Sequence, residues 1–100
     1  MDPAEQLLQL LQELDKDDGR GSTRAKLASL CEKTGHPRDA AHWYLAAARH
    51  AEWSEQGLIA VAMAGAALRA DPTNRIALAA YSAYWERFGG PGPPPPVSTP

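Results

Sequence analysis

The sequence predicts an all-α fold of about five helices folded back on one another as antiparallel hairpins. Nineteen of the 100 residues are Ala, the best helix former, while β-branched residues are scarce. Apolar residues recur at helical spacing in five successive segments. From the second segment onward only two to four residues separate one from the next, and connections that short turn consecutive helices antiparallel. Apolar residues make up 44% of the chain, which suits a single small core. Because so many of them are Ala, the helices must approach closely to bury enough surface.

The first predicted helix, about 3–15, has Asp2 as its N-cap and Pro3 at the first helical position. Leu7, Leu8, Leu10, Leu11 and Leu14 give it a wide apolar stripe, and "DKDDGRGS" after it reads as a loop. The second helix, about 23–34, takes Ser22 or Thr23 as cap. Leu27, Leu30 and Cys31 share its apolar face, and Gly35 lies just past its end. The third, about 38–53, follows Pro37 and sets Ala40, Tyr44, Ala47, Ala48 and Ala51 at i, i+4, i+7, i+8 and i+11.

The fourth helix, about 55–70, is expected to be capped by Ser54 and to bury Leu58, Ile59, Ala62, Met63, Ala66 and Ala67. The fifth, about 73–88, follows the break "DPTN", with Pro72 forbidding continuation and Asp71 or Thr73 available as its cap. It presents Ile76, Ala80, Ala83 and Tyr84, with Tyr81, Trp85 and Phe88 beside them, and Gly89 and Gly90 stop it. The last ten residues, 91–100, form a Pro-rich tail with polyproline II character and no fixed structure. It reads as a spacer, with a ligand for an aromatic groove as the alternative. The chain thus divides into a leucine-rich segment 1–18 that caps or docks, a helical domain 22–90, and the tail.

Residues 24–90 resemble the tetratricopeptide repeat family. Ala60, Ala64, Ala67, Leu68, Asp71, Pro72 and Asn74 look like the second helix and closing turn of a repeat. Tyr44, Ala47, Ala48 and Ala51 match the first helix before it. Upstream, Leu27, Ala28, Cys31, Gly35 and Ala40 also fit, and "RIALAAYSAYWERFGG" resembles the first helix of a further repeat. The resemblance amounts to one and a half to two and a half degenerate repeats and implies a right-handed stack of α-hairpins. One departure concerns spacing: the endings at Ala47 and Ala67 lie 20 residues apart rather than about 34. The third helix is therefore read twice, as the second of one pair and the first of the next.

The net charge of −2 argues against a dedicated nucleic-acid or anionic-membrane binder, but it is unevenly spread. Residues 1–18 carry −5 and residues 19–50 carry +4. The single Cys31 excludes an internal disulfide. No apolar signal segment follows "MDPAEQ", and the most apolar stretch, "GLIAVAMAGAAL", has only twelve residues. A soluble cytoplasmic protein without a membrane span is expected.

Chemistry finds few candidates. Among Cys31, His36, His42 and His50 only the first two have a spacing that suits zinc. "DKDDG" lacks the Glu that closes a calcium loop, and no phosphate-binding loop or nucleophile motif is present. No enzyme activity and no metal or other cofactor are expected. The resemblance implies instead a groove, lined by the first helix of each pair, that takes up a peptide or helix of another protein. It puts His42, Leu45, Arg49 and Trp53 there, joined by Ile76, Ala79, Ala83 and Arg87. The family's carboxylate clamp is unsupported, since Ala25, Ser29, Leu45 and Arg49 stand where Lys and Asn are needed. The function expected is that of a small adaptor or scaffold. One alternative is a homodimer formed through Leu7, Leu8, Leu10, Leu11 and Leu14. Another is a DNA-binding regulator using helices two and three as a helix-turn-helix, disfavoured because Arg38 and Asp39 at the start of the reading helix suit a groove poorly.

Overall fold

The computed structural model describes residues 5, 6, 8, 9, 12 and 22–89. Within them the chain is all-α, with four helices where five were expected: α1 (Ser22–Lys33), α2 (Pro37–Trp53), α3 (Gly57–Ala70) and α4 (Arg75–Phe88). Residues 5, 6, 8, 9 and 12 are helical as well, and Leu8 among them is exposed. The expectations placed on Asp2, Pro3, Leu7, Leu10, Leu11, Leu14, the loop after them and the tail lie outside the described residues.

Each joint is closed by local hydrogen bonds. After α1 the chain turns at Gly35, whose φ of +79° is left-handed and suits a residue without Cβ. The Gly35 N–H donates to the Glu32 carbonyl at 3.1 Å and the His36 N–H to the Cys31 carbonyl at 2.8 Å, the paired bonds of a Schellman motif. The same device ends α2: Glu55 N–H donates to the Glu52 carbonyl at 3.2 Å and Gln56 N–H to the Ala51 carbonyl at 2.8 Å. Here the left-handed position, φ +59°, is held by Glu55, a residue with a Cβ. Ser54 is therefore the C-cap of α2 and not the N-cap of α3, which starts at Gly57 without a side-chain cap.

The joint between α3 and α4 uses different chemistry. Asn74 is the N-cap: its extended backbone lets Oδ1 accept from the Ala77 N–H at 3.0 Å. Asp71 and Thr73, expected as caps, stand too early for that reach. Asp71 closes α3 and accepts at 3.3 Å from the Asn74 side-chain amide, so the carboxylate orients the cap.

α2 packs against α1 and α3, α3 against α4, and α2 also touches α4. The core between them is mostly alanine: Ala28, Ala40, Ala41, Ala48, Ala60, Ala64, Ala67 and Ala77 are fully buried. Leu27 and Val61 are the largest side chains to be fully buried. Small residues face inward because backbones then approach closely, and this turns α3 from the expected setting. α3 buries Ala60, Val61 and Ala64 while Leu58 and Ile59 are exposed. α4 buries Ala77 and Tyr81 while Ile76 and Ala83 face outward. Glycine extends the same logic: a Cβ on Gly65 would lie 3.1 Å from the Tyr81 ring, and one on Gly57 only 2.4 Å from the Phe88 ring.

Two stability measurements test these joints and contacts. Glu55→Gly relieves a left-handed residue at a cost in chain entropy, and the balance is a gain of about 0.5–1 kcal/mol, read as a higher urea midpoint. A lower midpoint would refute strain at this joint. Gly57→Ala forces the Phe88 ring aside and loses about 1–2 kcal/mol, as overpacking does. Combined with Phe88→Leu the loss shrinks, and strict additivity of the two changes would show that the contact is absent.

Candidate functional site

Between α2 and the start of α4 lies an open groove of about 750 Å³. One wall is the stripe Arg38, His42, Leu45 and Arg49, spaced so that all four share a face of α2. The other is the joint itself, Asp71, Thr73 and Asn74, followed by Arg75 and Ile76 at the first turn of α4. Ile76 is 69% exposed and Leu45 only 6%. Leu45 thus belongs to the core, packed with Ala41, Ala67 and Ala77, and shows the groove only its edge.

The groove's lining combines two apolar side chains, Leu45 and Ile76, with three arginines. Arg38, Arg49 and Arg75 are exposed, and none of them forms a salt bridge among the described residues. Asp71, the acid among the lining residues, accepts from Asn74, and its one carboxylate stands against three arginines. The first turn of α4 adds the partial positive charge of its N-terminus. His42 lies edge-on to Trp43, ring centroids 5.5 Å apart, which fixes the imidazole.

Of the residues expected in a groove, His42, Leu45, Arg49 and Ile76 come together here. Trp53 does not: it is 86% exposed and lines a second, smaller slot of about 240 Å³ with Arg24, Ala46, Arg49 and His50. Arg49 borders both. Ala79 and Ala83 are exposed on α4 and line neither hollow. Arg87 is turned to another purpose, pairing with Glu52 at 2.7 Å and lying over the Phe88 ring. Arg38 and Arg75 were not among the residues expected in the groove, although Arg38 sits one turn before His42 and Arg75 directly precedes Ile76.

Two tyrosine–glutamate pairs hold the walls in place. Tyr44 of α2 donates to Glu32 of α1. Tyr84 of α4 donates at 2.8 Å to Glu52 near the end of α2, whose other carboxylate oxygen receives Arg87. α2 and α4 are therefore tied at their C-terminal ends, and the groove opens at the other. Burial, then the hydrogen bond and charge of its glutamate, push each phenol up to about 12. The Cys31 thiol is also raised, first by burial and then by the nearby Asp39 carboxylate. Among the described residues no three His, Cys, Asp or Glu side chains gather to hold a metal ion, and no helix is long and apolar enough to cross a membrane.

No protein-family model, no curated protein and no solved structure matches the chain.

The tyrosine pairs make a prediction in alkali. A phenol with a folded pKa of about 12 and an unfolded pKa of about 10 contributes stability that is complete below pH 10 and lost as pH rises through 12. The unfolding free energy of the wild type should fall more steeply across that window than that of the Tyr44→Phe/Tyr84→Phe variant. Parallel curves would show that neither pair is formed.

Proposed function

We propose that the protein is a non-enzymatic interaction module that seats a segment of another protein in the groove between α2 and α4. The observation that supports this best is the groove's composition: apolar surface at Leu45 and Ile76 beside three arginines that form no salt bridge among the described residues. An interface of this kind takes an aliphatic anchor on the apolar surface and carboxylates on the arginines. The tetratricopeptide resemblance of residues 24–90 agrees with such a role, in which helices of one set line a shared surface. A peptide with aliphatic residues flanked by Asp or Glu is the chemistry that fits, and the arginine charges would speed its encounter.

Peptide display against the immobilised full chain tests the reading. Selected peptides should be enriched in Asp and Glu around Leu, Ile or Val, and a synthetic copy should lose at least about tenfold in affinity against Arg38→Glu or Arg75→Glu, a change of ~1.4 kcal/mol or more. Its affinity should fall as salt is raised. Selection of peptides without acids, or equal affinity for both variants, would sink the groove assignment. Retention of the protein on heparin at physiological salt, with no peptide selected, would favour nucleic acid instead.

A further inference from the structure

The second slot, bounded by Arg24 of α1 and Ala46, Arg49, His50 and Trp53 of α2, lies outside the proposed groove. It exposes one of the largest apolar side chains of the protein, Trp53, among basic residues. From this we infer that the slot is the seat of the chain's own residues 1–18, docked in cis as an acidic, leucine-faced helix.

Charge, reach and periodicity support this occupant. Residues 1–18 carry −5, with acids at Asp2, Glu5, Glu13, Asp15, Asp17 and Asp18, against the two arginines of the slot, Arg24 and Arg49. α1 begins at Ser22, two residues before Arg24, so the chain enters beside the slot. The seven residues 15–21 span at most about 25 Å. A helix over 3–14 is about 18 Å long, and the run of α2 from Trp43 to Trp53 about 15 Å, so the two match in length. Glu5, Gln6, Leu8, Gln9 and Gln12 are helical and exposed, and all of them but Gln6 share one helical face. By sequence spacing Leu7, Leu10, Leu11 and Leu14 fall on the other side of a helical repeat, which makes them the apolar set for Ala46 and Trp53 in the proposed docking. A linker this short gives the segment an effective concentration of order millimolar, which favours docking within one chain over exchange between chains. Seating the segment brings carboxylates to Arg49, which also borders the groove, and so lowers the positive charge that a groove ligand meets.

Paramagnetic broadening tests the docking without reference to any groove ligand, so its failure and that of the function proposed above are told apart. A nitroxide on Gln12→Cys, in a Cys31→Ala background of the full chain, should broaden the amides of Ala46, His50 and Trp53 while those of α3 stay sharp. The broadening should not depend on protein concentration. It should vanish when isotope-labelled chains without nitroxide are mixed with spin-labelled chains lacking the isotope. A second variant adding Leu7→Asp and Leu11→Asp should abolish it with the α2–α4 amide shifts unchanged, showing an intact domain. Absence of broadening in the parent, or its persistence in the aspartate variant, would overturn the inference. Broadening in the mixed sample would do so too, by assigning the slot to a second copy.

Discussion

Close backbone approach between helices, made possible by alanine, governs this structure. With methyl groups at Ala41, Ala48, Ala64 and Ala67, α2 and α3 meet closely, and Leu45 and Val61 fill the space that remains. Burial of this kind contributes little per residue, so the fold depends on many contacts in register rather than on a few large ones. The constraint decides what lies outside as well. Once the small face turns inward, Leu58, Ile59 and Ile76 have no room in the core, and the outward side of the stack becomes partly apolar. Ile76 at the groove is a consequence of alanine packing a few residues away.

Directed bonds complete what packing leaves loose. The alanine face fixes distance but holds helices poorly against sliding, because methyl groups interdigitate shallowly. Tyr44 with Glu32, and Tyr84 and Arg87 with Glu52, supply long-range anchors across helix pairs. Glu32 and Glu52 hold equivalent places, each two residues before its helix's C-cap, and each also gives its carbonyl to the turn that follows. A single residue therefore joins the local turn to the lateral tie. With these ties near the ends of α1 and α2, the N-terminal ends of α2 and α4 are left to frame the groove.

Helix identity and order were legible in the sequence, because Ala content, apolar spacing and the breaks at Gly35 and Pro72 all speak about the backbone. Which face each helix buries was less legible. For α3 the hydrophobicity of Leu58 and Ile59 pointed one way and the size of Ala60 and Ala64 the other, and close approach decided for size. Caps were misplaced by short distances: Asp71 and Thr73 have suitable side chains, but only Asn74 stands directly before the first turn. The groove was half visible. His42, Leu45, Arg49 and Ile76 were assigned through the family resemblance, whereas Arg75 joins them through the angle set by the joint, which no periodicity encodes.

Cys31 shows what this packing means for motion. Its thiol lies on the inward face of α1, 9% exposed, and burial raises its pKa further above neutrality. A thiol in that state reacts slowly while its helix stays packed and faster when α1 lifts, since the thiolate is the reactive species. The molecule therefore carries its own clock for the opening of its first hairpin. The pace at which a small alkylating reagent marks Cys31 would measure how often α1 leaves the stack, separately from the unfolding of the remainder.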